Sequence, residues 1–241
     1  AENNMNPVLI NYNHGSSWRN IAGGRPAFSM PELADIGRKN LEIFKELQQK
    51  TNIDYRPIRY INLAHDDATY EKLRASMEWQ DAYLVDAKDF DKELSDFASP
   101  RMGAIYKGAL VSKDCWQSTP GKVLNAIRSI GLEHGGTVAE DCELLDVHKN
   151  GALYEVLVRA HDGSFIQYQT PVFINALGDK GDDFARKLGI ETNLYPVKHQ
   201  AFITRRLPYL GINGKPMDMV IDRRDYKGFT AVYGQQLAET G

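Results

Sequence analysis

The run Gly15-Ser16-Ser17-Trp18-Arg19-Asn20-Ile21-Ala22-Gly23-Gly24 is polar, glycine-rich and without an apolar period. Such a stretch is a loop in which backbone comes close to something, because glycine lacks the Cβ that holds a neighbour away. Taken alone, it is also what an ordinary surface loop shows. Far downstream, Phe173-Ile174-Asn175-Ala176-Leu177-Gly178 reads as a strand running into a glycine turn and then a helix. That geometry offers backbone N–H groups to a bound cofactor. Other chemistries have little support. The six histidines are scattered, with no i,i+4 pair and no H-E-x-x-H, so no metal site is expected. Cys115 and Cys142 form no C-x-x-C, which suits a reducing compartment and argues against structural zinc. No side chain stands out as a catalytic acid, base or nucleophile.

The elements that must position these segments can be read from spacing. Ser29 and Glu32 fit a capping box, with Pro31 in the first turn. Leu33, Ile36, Leu41, Phe44 and Leu47 then predict a helix ending near Gln48-Gln49-Lys50. Tyr55 to Leu63 alternates as a strand does. Asp66 to Trp79 predicts a second amphipathic helix through Tyr70, Leu73 and Met77, and Val85 to Phe97 a short acidic helix or turn region. Thr119-Pro120 opens the best-marked helix, striped by Val123, Leu124, Ile127 and Ile130 and ended by Gly135-Gly136. Three strands follow, Leu144 to His148, Leu153 to Ala160 and Phe165 to Tyr168. Asn150-Gly151 and Asp162-Gly163 at their turns predict an antiparallel meander. Val172 to Leu177 is apolar enough to be a strand buried on both faces. Gly178 breaks it, and Asp182 to Leu188 is a helix closed by Gly189. Val197 to Thr204 and onward to Tyr233 alternate as strands of a second sheet.

A chain of 241 residues can bury a substantial core in one domain or two intertwined ones. The formal net charge of −3 and the lack of a basic stripe argue against a nucleic-acid surface. No segment has the length of a membrane span, and Ala1 to Asn13 has no basic-then-apolar pattern of a secretory signal. A cytoplasmic location is therefore expected.

The order of these motifs carries a resemblance. It runs from the serine loop with Ala22-Gly23-Gly24, through the Thr119-Pro120-Gly121-Lys122 helix start, the Gly135-Gly136 turn and the meander, to Asn175-Ala176-Leu177-Gly178. In this order the chain resembles the D-amino-acid-oxidase-like family of FAD-dependent oxidoreductases from Asn13 to Tyr233. The resemblance implies FAD as cofactor. It places Ser16, Ser17, Arg19, Asn20, Ala22, Gly23 and Gly24 along the isoalloxazine ring, and Ala176 and Gly178 at a second contact. Leu144 falls where the family sets an aliphatic residue whose backbone holds the adenine, and it reads equally as meander core. Glu2 falls where an acidic residue binds the ribose hydroxyls, and it reads better as a terminal glutamate. Asp179-Lys180-Gly181 departs from the family's small residue and tryptophan. The G-x-G-x-x-G fingerprint is absent, as is the glycine-rich return that closes over the flavin. The chain is thus expected to be an internal piece of a longer flavoenzyme that by itself binds FAD weakly or not at all.

The implied fold class is α/β of mixed α+β kind. It is an incomplete FAD-binding Rossmann-like domain with a β-meander, intertwined with a mainly antiparallel-sheet substrate domain. The expected boundaries are 1–28 and 105–190 for the FAD-binding portions, and 29–104 and 191–241 for the substrate portions. The serine loop and the Gly178 turn are expected to converge. The implied activity is oxidation of an amine or amino acid by hydride transfer from its α-carbon to the flavin. Oxidase and dehydrogenase both remain open, as do glycine, proline, sarcosine or another amine as substrate. Arg224 and Tyr226 are the candidates to hold a substrate carboxylate, with Arg206 and Tyr233 behind them, because a guanidinium fork matches a carboxylate. His199 reads as a structural histidine. The alternatives are a cofactor-free α/β binding module and the flavoprotein domain of a tRNA-modifying enzyme.

Overall fold

The computed structural model describes residues 6–12, 15–94, 102–205, 217–224 and 231–236. In chain order the elements are β1 (Val8–Asn11), β2 (Gly23–Gly24), α1 (Pro31–Lys50), β3 (Arg56–Ala64), α2 (Asp67–Ala75), β4 (Ala82–Asp86), α3 (Phe90–Glu93), α4 (Met102–Ile105) and β5 (Gly108–Gln117). Then follow α5 (Pro120–Glu133), β6 (Thr137–Glu140), β7 (Glu143–Asn150), β8 (Leu153–Arg159), β9 (Phe165–Thr170), α6 (Gly181–Lys187), β10 (Met219–Asp222) and β11 (Val232–Gly234). The chain divides into two compact units, residues 1–19 with 127–202 and residues 20–126 with 203–241.

The first unit holds a parallel pair, β1 on β6, and the meander β7-β8-β9. Both meander turns use glycine in the left-handed region, Gly151 at φ +60° and Gly163 at φ +84°, as their Asn-Gly and Asp-Gly sequences predict. Gly135, at φ +84°, ends α5 in the same conformation. The core is Cys142, Val147, Val156 and Val158, with Ile10 of β1 and Phe184 of α6 packed against it.

The second unit is built on a mixed sheet of order β11-β10-β3-β5-β2, with β4 also paired to β5. β10 runs parallel to β3 and the other pairs are antiparallel. Alternation along β3 divides two cores. Ile61 and Leu63 join Val85, Phe90, Leu94 and Val111 on one face. Ile58 and Tyr60 join Ala27, Cys115, Met219 and Ile221 on the other. Between Ile58 and Tyr60 the pairing with β5 slips by one residue, and Asp114 takes up the extra residue at φ +55°. Cys115 is fully buried there, and burial pushes its thiol up to about 12. Iodoacetamide at neutral pH is therefore expected to leave Cys115 unmodified in the native protein and to alkylate it after unfolding, as read by peptide mass. Rapid native labelling would show that this core is not closed.

Several expectations need correction. Val172 to Leu177 is not a buried strand: it is irregular, with Val172 and Ile174 exposed. Val197 to Thr204 is likewise exposed and forms no strand. An apolar or alternating run becomes a strand only where a neighbour takes its backbone hydrogen bonds, and no described strand pairs with either segment. Helix α1 forms, but its N-cap is Met30 and no side chain caps it, so the Ser29–Glu32 box is not made. The buried stripe of α1 is Ala34, Gly37, Leu41 and Leu47, while Leu33 and Ile36 face water. A Cβ on Gly37 would lie 2.6 Å from the Pro26 Cα, so the inward positions of the first turns must be small. The second predicted helix stops at Ala75, with Asp66 accepting the Thr69 N–H at 2.6 Å as its cap. Among the described residues no helix is long and apolar enough to cross a membrane.

Candidate functional site

The serine loop has two parts. Ser16–Trp18 is an exposed 3-10 turn closed by the Arg19 N–H on the Ser16 carbonyl at 3.0 Å. The chain then bends sharply: Asn20 Oδ1 accepts the Ala22 N–H at 2.7 Å, and Ala22 sits at φ +66°. The Ala22 carbonyl accepts the Ser118 N–H at 3.1 Å, and Gly23 and Gly24 pair with Gln117 and Trp116 of β5. The loop thus ends as an edge strand of the second unit.

Both glycines are needed for this approach. A Cβ on Gly23 would meet the Tyr60 hydroxyl and, at 2.9 Å, the Met219 methyl. One on Gly24 would enter the Trp116 indole. The Cβ positions of Gly23 and Gly24 are therefore filled by the protein's own side chains rather than left open for a ligand. Around them the Trp116 Nε1, the Gln117 Oε1 and both ends of the Gln235 amide are buried without a hydrogen-bond partner. Each such group carries an unmet cost of about 1–3 kcal/mol. A polar heterocycle edge brought to β2 would supply donors and acceptors of the kind these atoms lack, so the residues here fit the edge of a flavin.

In the first unit, Leu144 lies on β7 opposite Val158 and packs against the meander core. Ala176 and Gly178 are exposed. Gly178 takes φ +60°, and a Cβ on it would meet nothing within 4 Å, so this turn is an open cradle. Asn175 fixes the turn to α6, its Oδ1 accepting the Leu177 N–H at 3.3 Å and its Nδ2 donating to the Gly181 carbonyl at 2.8 Å. The Lys180 ammonium lies 5.9 Å from the centre of the Tyr12 ring. Residues just before the serine loop and just after Gly178 therefore meet within this unit.

Glu2, Arg206 and Tyr226 lie outside the described residues. Arg224 is described, and its fork is already engaged. Its Nε and Nη2 donate to Asp222 Oδ2 at 2.8 and 2.5 Å, and the same oxygen accepts the Tyr106 hydroxyl at 2.8 Å. His199 is exposed, and so is Tyr233 on β11.

The neighbouring arginine has a different setting. Met219, Ile221 and Arg223 share one face by alternation, the face of Tyr60 and Asn62. Arg223 donates from Nε and Nη2 to Asn62 Oδ1 at 3.0 and 2.9 Å. Arg25, two positions beyond Gly23, lays its guanidinium 4.9 Å from the Phe28 ring centre and 5.4 Å from that of Tyr60. Among the described residues neither Arg25 nor Arg223 has a carboxylate partner. Reading the sequence by residue type alone missed this pair. The alternation through Met219, Ile221 and Arg223 was the signal that separates Arg223 from Arg224.

The family model for FAD-dependent oxidoreductases of the DAO family matches residues 10–236. Three solved structures share the fold. Glycine oxidase from Geobacillus kaustophilus has a TM-score of 0.71 at 12% identity, over 98% of this chain and 65% of that one. L-proline dehydrogenase from P. horikoshii has a TM-score of 0.68 at 14% identity, over 90% of this chain and 64% of that one. Dithionite-reduced L-α-glycerophosphate oxidase from Mycoplasma pneumoniae, with FAD bound, has a TM-score of 0.59 at 14% identity, over 76% of this chain and 50% of that one. The chain thus spans between half and two thirds of their lengths. No curated protein sequence matches it. With its mixed-sheet fold and a family match running from β1 past β11, the chain belongs to the DAO family of FAD-dependent oxidoreductases.

Proposed function

We propose that the protein carrying this chain oxidises an amine or amino acid, moving a hydride equivalent from the substrate α-carbon to FAD. The observation that carries the amino-acid reading is Arg223. Its Nε edge is spent on the neutral Asn62, which leaves the opposite edge of the fork for a carboxylate. The names of two of the three similar structures, glycine oxidase and L-proline dehydrogenase, are those of amino-acid enzymes. The third acts on a glycerophosphate, so the fold alone does not choose the substrate.

In this reading the chain's own residues bind and orient. Ser16, Ser17, Arg19, Asn20, Ala22, Gly23 and Gly24 hold the flavin ring, with the Gln117 and Gln235 amides completing its polar edge. Ala176 and Gly178 form an open backbone contact, and Leu144 supports the adenine side through its backbone. Arg223 takes the substrate carboxylate, while Arg224 acts by holding Asp222 and Tyr106 beneath it. Bound FAD supplies the hydride acceptor. The test is spectroscopic. An amino acid added to the FAD-loaded protein without oxygen is expected to bleach the flavin absorbance. FAD-loaded protein that no amine or amino acid bleaches would overturn the reading. Readmitting oxygen then separates oxidase from dehydrogenase.

A further inference from the structure

Arg223 and Arg25 share one face of the second unit's sheet, and the free fork of Arg223 accounts for one negative group only. Arg25 has no described hydrogen-bond partner for any of its donors. Its plane is instead braced by Phe28 and Tyr60, as a guanidinium is braced on aromatic faces. It is not a solvated surface charge, since the residue is only half-exposed. The two arginines feel one another: Arg223 is an exposed residue, but partial withdrawal of its guanidinium from water and the charge of Arg25 both act against its charge. Two cations on one sheet face, with no carboxylate partner among the described residues, attract anions from outside. Arg25 is anchored over Tyr60, and Arg223 is anchored on Asn62. Those β3 residues are two positions apart, or about 7 Å along the strand. Each fork takes one carboxylate in two parallel hydrogen bonds, so two forks anchored at separate points of one face suit two carboxylates joined by a short carbon chain.

We propose that this face binds a ligand with two carboxylates, one on the free edge of Arg223 and the other on Arg25. The substrate would then be an amino acid with an acidic side chain, a step that rests on the amino-acid reading above. The binding itself does not need a flavin, so the two can fail separately.

The test is calorimetric titration of the flavin-free protein with glutarate, acetate and inorganic phosphate. Glutarate is expected to bind one to one and at least about tenfold more tightly than acetate or phosphate. Arg223→Gln and Arg25→Gln are each expected to weaken glutarate about ten- to a hundredfold, as loss of a charge-assisted pair does. Arg223→Lys and Arg25→Lys, which keep the charge and lose the fork, should fall in between. Lys39→Gln, on the exposed side of α1, should change nothing. Glutarate binding no tighter than acetate would overturn the inference. So would phosphate binding more tightly than glutarate, or full glutarate affinity in folded Arg25→Gln. Failure of amino acids to bleach the flavin, with glutarate binding intact, would overturn only the preceding reading.

Discussion

Gly24→Val is expected to lower the stability of the protein by about 3 kcal/mol or more, at the upper end of the cost of overpacking a core. The Cβ of residue 24 would fall inside the Trp116 indole, and Trp116 is only 2% exposed. The ring cannot retreat easily, because Phe44 of α1 lies against it with ring centres 5.1 Å apart. Backing α1 away would also break the close packing of Gly37 on the backbone of Arg25 and Pro26. Gly15→Val provides the contrast. Its backbone is extended and nothing lies within 4 Å of the new Cβ, so its effect should stay within about 0.5 kcal/mol. Urea unfolding of both variants measures the difference. Equal stability of the two would show that the indole does not fill this space. There is a functional corollary. Loss of FAD from a Gly23 or Gly24 variant reports first on the packing of β2 against Tyr60 and Trp116, and only through it on any contact with the flavin.

What could be read from sequence follows the range of the interactions involved. Hairpin turns are set by two residues, so Asn150-Gly151 and Asp162-Gly163 placed the meander correctly. The end of α5 was likewise fixed by Gly135. Helix α1 was visible as a helix with Leu41 and Leu47 inward, yet the inward face of its first turns was misjudged. Close backbone contact selects Ala34 and Gly37 there, and hydrophobic counting cannot see small residues chosen for proximity. The strands β4 and β5 escaped notice. β5 is buried on both faces for most of its length and contains Lys113 and Asp114 at its bulge, which break the alternation. Val172 to Leu177 failed for the opposite reason. Its apolar character was plain, but strand formation depends on a partner that lies elsewhere in the fold. The site followed the same division. The loop and the Gly178 turn announced themselves through glycine. Arg223 and Arg25 did not, because their meaning comes from sharing a sheet face across a parallel pairing of β10 with β3.

One ion pair anchors the start of that pairing, and its removal is the second large expected effect. Asp218 sits immediately before β10 and is 8% exposed. Its carboxylate accepts the backbone N–H of Arg59 at 2.7 Å, the Nε at 2.9 Å and the Nη2 at 2.6 Å. Arg59 lies on β3 opposite the bulge of β5 and one residue before the pairing of β3 with β10 begins, so its N–H is taken by a side chain rather than by a strand partner. Asp218 therefore satisfies an orphaned backbone donor and a charge at once, and it sets where β10 begins against Tyr60. Asp218→Ala is expected to cost about 3 kcal/mol, the low end for breaking a buried pair, because the Arg59 side chain keeps 30% of its exposure and so some water. Asp218→Asn keeps the acceptor and loses the charge, so it should cost less. The consequence for the site is specific. Arg223 reaches Asn62 only if the register Met219 to Tyr60 and Ile221 to Asn62 is kept, so folded Asp218→Ala should also lose affinity for glutarate. Hydrogen exchange at β10 amides should rise in the same variant. A stability change within about 0.5 kcal/mol would place Arg59–Asp218 among ordinary screened surface pairs and remove this account of how β10 is held.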